Sequence, residues 1–238
     1  MKIPKKITPE PIIEAIVEVK FTPKVPADTI LGLVYGQVSG KYKTVERLPI
    51  LQLPDDVRSQ DPNLRFQPLY RMYHESFIFQ LGPMVLSVAV RNYPGWALFE
   101  REIIDIYNHC KKADIFDSIL RVGMRYVNFF DPNVFEQTKL TLMFDRVDLS
   151  KQLTTLLTKI PYGEYESTLK VSNMASVKTD KGLQTGSVID IDTYTDKRDQ
   201  ITNSELSVLL EHQHEITSKL FFSLLTESFL ATLDPEYE

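Results

Sequence analysis

Residues 12–21 read Ile12-Ile13-Glu14-Ala15-Ile16-Val17-Glu18-Val19-Lys20-Phe21, and they alternate. Ile13, Ala15, Val17, Val19 and Phe21 share one side. Glu14, Glu18 and Lys20 share the other with Ile12 and Ile16. A period of two with one apolar side is the pattern of a half-buried strand. A second strand of the same kind is expected at Ile119 to Phe130, with Leu120, Val122, Met124 and Tyr126 on one side and Arg121, Gly123 and Arg125 on the other.

Around these two strands the chain is punctuated. Pro23 and Pro26 end the first strand, and a short helix is expected over Ala27 to Val38, weakened by Gly32 and Gly36. Short β-like runs follow at Val45 to Leu53, Leu64 to Tyr73, Phe77 to Leu81 and Met84 to Arg91, separated by prolines and by Gly82-Pro83, as in an antiparallel meander. From Ala97 to Lys111 the residues Phe99, Ile103, Ile106, Tyr107 and Cys110 form one helical face, so Cys110 should point into a core. After the strand at Ile119 to Phe130, Asp131-Pro132-Asn133 turns the chain. A strand at Lys139 to Val147, a helix at Leu149 to Lys159, strands at Glu164 to Asn173 and Gln184 to Tyr194, and a long helix from about Ser204 complete the reading.

The expected fold is one α+β domain over residues 1–238, a mainly antiparallel sheet packed against helices with a long C-terminal helix. Both halves, 1–117 and 118–238, run strand, helix, strands, helix, which suggests a two-fold internal repeat by element order, without matching residues. The closing helix opens on Thr202-x-x-Glu205, a capping-box spacing. Leu206, Leu209, Leu210, Thr217, Leu220 and Leu224 make one stripe along it. Phe222, Leu225, Phe229 and Leu233 make a second on nearly the opposite side. A helix apolar on two sides must be covered on both, by its own chain or by a partner, which makes Phe222 and Phe229 candidate contact residues.

Composition narrows the function. The chain has 238 residues, 43% hydrophobic and 25% charged, the proportions of an ordinary folded protein. Its net charge of -5 argues against broad, sequence-independent nucleic-acid binding, which draws on Lys and Arg. One cysteine gives no intrachain disulfide and no multi-cysteine zinc site. Lys2, Lys5 and Lys6 lead into Thr8-Pro9-Glu10-Pro11 rather than an apolar stretch, and no run is long enough to span a membrane, so a cytoplasmic location is expected.

No metal site, cofactor or catalytic group is expected from the motifs. His212 and His214 are two apart, about 200° around a helix, and cannot chelate one ion. G-x-S-x-G, G-x-x-x-x-G-K-[ST] and G-x-G-x-x-G are all missing from the sequence. Two arrangements remain. Asp190 and Asp192 stand on one side of a strand about 6.7 Å apart, a spacing able to hold Mg²⁺ or Mn²⁺ with a phosphate, or simply to pair with basic side chains. Arg121 and Arg125 flank Gly123 on one face about 13 Å apart, suited to phosphate or carboxylate. If the two strands are neighbours, the arginines should pair with the aspartates across the sheet, and Asp190→Asn should then destabilise the fold. Tyr70, Tyr73, Tyr93 and Trp96, with Tyr162, Tyr165 and Tyr194, add aromatics that suit either core packing or an interface.

The runs Pro11-Ile12-Ile13-Glu14-Ala15-Ile16-Val17-Glu18-Val19, Arg121-Val122-Gly123-Met124-Arg125-Tyr126-Val127-Asn128 and Ile189-Asp190-Ile191-Asp192 resemble a sporadically distributed, uncharacterised prokaryotic family of chains of about this length, and the likeness spans the chain. The resemblance implies no catalytic residue. A patchy distribution is similar to that of toxin-antitoxin or phage-defence genes, which implies an accessory role. The leading expectation is therefore a non-enzymatic interaction or sensing protein with a protein partner or self-association. The alternatives are a metal-dependent enzyme or binding protein for a phosphate-bearing or nucleotide ligand, and a module for another small-molecule ligand.

Overall fold

The computed structural model describes residues 2–131, 133–179, 182–199 and 201–237. The elements in chain order are β1 (Ile12–Pro23), α1 (Ala27–Val38), β2 (Thr44–Arg47), α2 (Asp55–Gln60), β3 (Tyr70–His74), β4 (Phe77–Gly82), β5 (Val85–Val90), α3 (Trp96–Lys112), β6 (Phe116–Phe130), β7 (Met143–Phe144), β8 (Val147–Asp148), β9 (Thr155–Tyr162), β10 (Tyr165–Thr179), β11 (Gly182–Asp199), α4 (Asn203–Leu224) and α5 (Glu227–Ala231). Nine strands form one sheet in the order β2-β3-β4-β5-β1-β6-β11-β10-β9, and β7 with β8 forms a separate ribbon. The pairs β2–β3, β3–β4, β4–β5 and β9–β10 are antiparallel. The fold is α+β with a large antiparallel sheet, as the alternation of its strands leads one to expect.

The first deciding strand, β1, behaves as its sequence requires, and in β6 Val122, Met124 and Tyr126 are buried as expected while Leu120 is half-buried beside a fully buried Ile119. Ala15, Val17, Val19 and Phe21 of β1 are fully buried, with intermediate residues between them. Helix α1 has the expected bounds, and α3 buries Phe99, Ile103, Ile106, Tyr107 and Cys110. Pro49 ends the run begun at β2, because the chain turns there into a 3-10 helix over Pro49–Gln52. Asp55 and Asp56 then open α2, between the two expected runs.

Three further expectations need correction. The run expected at Leu64 to Tyr73 keeps only its end, in β3, because residues 61–67 fold into turns closed by bonds such as the Gln67 amide to the Leu64 carbonyl. The expected helix at Leu149 to Lys159 is instead a 3-10 turn over Leu149–Lys151 followed by β9. Thr155 and Thr158 disfavour a helix, and residues 155–162 alternate strictly between exposed and half-buried, the mark of an edge strand. The strand expected at Lys139 to Val147 shrinks to the β7–β8 ribbon. Among the described residues the second half therefore lacks the helix that the repeat of element order needs. Pro132, in the turn expected at 131–133, lies outside the described residues.

The chain divides into two compact units interleaved in sequence, residues 1–15, 125–193 and 212–238 in the first and 16–124 and 194–211 in the second. The second unit holds the β3–β5 meander with α1 and α3, and Tyr107 donates from α3 to the Ile201 carbonyl at 3.1 Å. The first unit has its core between the sheet and the end of the chain. Phe130 stacks on Phe221 at 6.3 Å and meets Phe229 edge-on at 5.6 Å. Leu169, Val171, Ile189 and Ile191 complete the sheet side of this core.

The two apolar sides of the closing helix are thereby explained within the chain. The capping box forms as expected, with the Glu205 amide donating to Thr202 Oγ1 and the Thr202 amide donating to Glu205 Oε2. At the other end α4 stops at Leu224, because the Lys139 amide takes the Leu224 carbonyl and the Thr226 amide bonds back to Gln137. Thr226 then caps α5 by accepting from the Phe229 amide. The break swings Phe229 and Leu233 onto the same core as Phe222 and Leu225, each 8% exposed or less. No helix among the described residues is long and apolar enough to cross a membrane.

Candidate interaction surface

In the first unit β6 and β11 are neighbours, and of the charge pairs expected across them Arg125 with Asp190 forms. Arg125 grips Asp190 with both ends of its fork, Nε to Oδ1 at 2.8 Å and an η nitrogen to Oδ2 at 2.7 Å. Asn128 reaches the Ile189 carbonyl at 3.2 Å, and a Cβ on Gly186 would meet the Phe130 carbonyl oxygen at 2.5 Å. Rising numbers on β6 meet falling numbers on β11, so the pair is antiparallel. The hydrogen bond to Asp190 holds the Arg125 guanidinium above its ordinary pKa despite burial, and the charges of Asp190, Glu14 and Asp192 add to the effect.

Both Asp190 oxygens are spent on Arg125, which leaves its carboxylate poorly placed to ligate a metal. Among the described residues no group of three or more His, Cys, Asp and Glu converges as a metal site. Arg121 lies in the second unit, its guanidinium 3.8 Å from the centre of the Tyr194 ring, a close cation–π stack. His212 and His214 go to different tyrosines, Tyr165 at 3.3 Å and Tyr126 at 3.1 Å, in keeping with their angular separation. Phe222 and Phe229 belong to the buried core of the first unit, and Phe222 also edges a shallow cleft with Leu225, Leu230 and Tyr237.

Sequence reading missed two features. One is a polar cluster in the second unit. Lys41 Nζ sits 2.6 Å from Glu102 and 3.0 Å from Asp105, while the Tyr42 hydroxyl donates to the other Glu102 oxygen at 2.7 Å. Burial opposes the charge on Lys41, but the two carboxylates outweigh it and raise its pKa. The cluster lines a cleft of about 420 Å³ together with His74, Ser76 and Arg101. Its two halves, Lys41-Tyr42 and Glu102 with Asp105, are 60 or more residues apart in sequence, so no local motif announces it.

The other missed feature is apolar and exposed. Leu153 is 76% exposed, Leu157 65% and Met174 60%. The β9–β10 register pairs Leu157 with Lys170 and Thr155 with Ser172, and continued by one step it brings Leu153, just before β9, level with Met174. Asn173, itself buried, fastens the neighbouring segment: its Oδ1 accepts from the Thr154 amide at 2.9 Å, and its Nδ2 donates to the carbonyls of Gln152 at 2.7 Å and Ser150 at 3.3 Å. That segment leads directly from the ribbon, where Met143, Phe144 and Val147 are also exposed. A signal existed in the odd positions of residues 153–157, but it was obscured by the Leu156-Leu157 pair, which reads equally as helix.

No family model matches the chain, and no curated protein matches it.

Proposed function

We propose that the protein works by binding another macromolecule, through the end of the first unit formed by β9, the later part of its hairpin partner β10 around Met174 and the β7–β8 ribbon. The observation that carries this reading is the concentration of exposed apolar side chains there, Leu153, Leu157 and Met174 with Met143, Phe144 and Val147 just upstream. Scattered exposed hydrophobics are normal, whereas a concentrated group marks a contact surface. The closing helix takes no part, because its second apolar side is covered by its own chain. An accessory, non-catalytic role agrees with the bidentate use of Asp190 by Arg125. The test is native mass spectrometry of the protein purified gently from its host, beside a Leu153→Asp/Met174→Asp variant. A bound protein or defined oligomer present in the wild type and lost in the variant, at unchanged melting temperature, is the expected result. A bare wild-type monomer, or nucleotide turnover that depends on Asp190 and Asp192, would overturn it.

A second reading, a small-molecule ligand in the Lys41 cleft, is favoured by Arg101, which lines that cleft and has no hydrogen bond or ion pair among the described residues. A ligand held there should raise the melting temperature of the wild type and not of Arg101→Ala. Equal shifts in both would remove Arg101 from the site.

A further inference from the structure

Strand β9 is the last in the sheet, with β10 on one side and, among the described residues, no strand on the other. The loop joining them is the two residues Gly163-Glu164, with Gly163 at φ 64°, so Tyr162 and Tyr165 are the hydrogen-bonded closing pair of the hairpin. Counting back by twos, Ile160, Thr158, Leu156 and Thr154 turn their amides and carbonyls toward β10. The Asn173 amide, which donates to the Thr154 carbonyl at 3.2 Å, fits this phase. Thr155, Leu157, Lys159 and Pro161 therefore turn theirs to the open side. Pro161 has no amide proton and loses nothing by facing outward, which is where an edge strand tolerates proline.

We propose that this open side pairs with β9 of a second copy, antiparallel, about a two-fold axis at Leu157. The proposal rests on the interaction reading above and names its partner. At this register the outward residues pair as Thr155 with Lys159, Leu157 with Leu157 and Lys159 with Thr155, exchanging about six main-chain hydrogen bonds. No like charges are opposed: each Lys159 meets a threonine, and within its own copy it is already bound to Glu166 at 2.7 Å. Pro161 comes level with Leu153, one apolar residue against another, and its missing amide closes the paired window at that end. On the opposite face Leu156 and Ile160, which are left only partly buried at the margin of the core, come level with Thr158 and Thr154 of the second copy and gain cover from them. A strand that leaves apolar side chains uncovered on both faces, and whose charges avoid one another when it meets itself, is suited to its own copy.

Sedimentation velocity at micromolar concentrations tests this. The wild type should be a dimer. Leu157→Pro removes only outward-facing groups and should give a monomer with an unchanged melting curve. Leu157→Lys places two cations on the axis and should do the same, so it decides the matter where the proline variant folds poorly. Leu157→Cys should form a covalent dimer on oxidation, because hydrogen-bonded partners stand about 5.5 Å apart, within disulfide range. Lys159→Cys should not, since its two copies lie about 13 Å apart along the strands. The native Cys110 is fully buried and does not interfere. A wild-type monomer, a Leu157→Lys dimer, or equal cross-linking at 157 and 159 would each overturn the pairing. A monomer that still binds a different macromolecule, and loses it in Leu153→Asp/Met174→Asp, would leave the interaction reading standing. A monomer that binds nothing would end both.

Discussion

Asp190 and Gly186 lie on the same strand and fail in different ways when changed. Asp190→Asn keeps the shape but halves the fork's partner. Arg125 is 44% exposed in its side chain, so solvent discounts the pair to about 1 kcal/mol, and the melting temperature should fall by about 2–4 °C. Differential scanning calorimetry decides, and an unmoved transition would mean that the pair adds nothing to the fold. Gly186→Ala should cost more, about 1–3 kcal/mol, because the added methyl would press on the Phe130 carbonyl oxygen at 2.5 Å and the Phe129 ring at 2.6 Å. Sequence alone set Arg121 and Arg125 against Asp190 and Asp192 by strand periodicity, without saying which meets which. It gave no hint of the Lys41, Tyr42, Glu102 cluster, because contacts between elements distant in the chain leave no local spacing to read.

At the scale of elements, what was legible was whatever had a clean period and a clear stop. Strand β1, helix α1 and the buried face of α3 qualify, and so does the Thr202 to Glu205 cap. Residues 149–159 failed because two adjacent leucines fit either period and the deciding partner, β10, lies later in the chain. The same region depends on one side chain. Asn173 serves the Thr154 amide and the Gln152 carbonyl, two groups that neither strand serves, and shares the Ser150 carbonyl with Asn133 Nδ2 at 2.9 Å. Asn173→Ala should therefore lower stability by about 2–4 kcal/mol through unpaired backbone groups. It should also raise amide exchange selectively over residues 149–157. Exchange that rose evenly across the chain would show instead that Asn173 does not act as a local fastener.

At the scale of the whole molecule, the two units carry different sensitivities to pH. The second unit keeps three weak acids protonated. Tyr42 is raised well above its ordinary 10.0 by burial and then by the hydrogen bond to Glu102. Tyr107 is raised by burial, with Cys110 and Glu205 adding to it. The Cys110 thiol is raised above 9.0 by burial alone. In the unfolded chain each would give up its proton near its ordinary value. Their contribution to stability is thus whole below about pH 9, and it is lost as pH rises past the unfolded value, 9 for the thiol and 10 for the phenols, toward the raised folded ones. Each group steepens that loss by about 1.4 kcal/mol per pH unit once it titrates in the unfolded chain. Trp96, the one tryptophan, bonds to Glu211 at 2.7 Å within the second unit and reports on it by fluorescence. Urea unfolding followed at Trp96 from pH 8 to 11 should show this alkaline limb. Cys110→Ala should make it shallower from about pH 9 and Tyr42→Phe from about pH 10, although each variant starts from a lower stability at neutral pH. A limb of unchanged slope in both variants would mean that the loss in alkali comes from net charge over the whole chain, not from these buried protons.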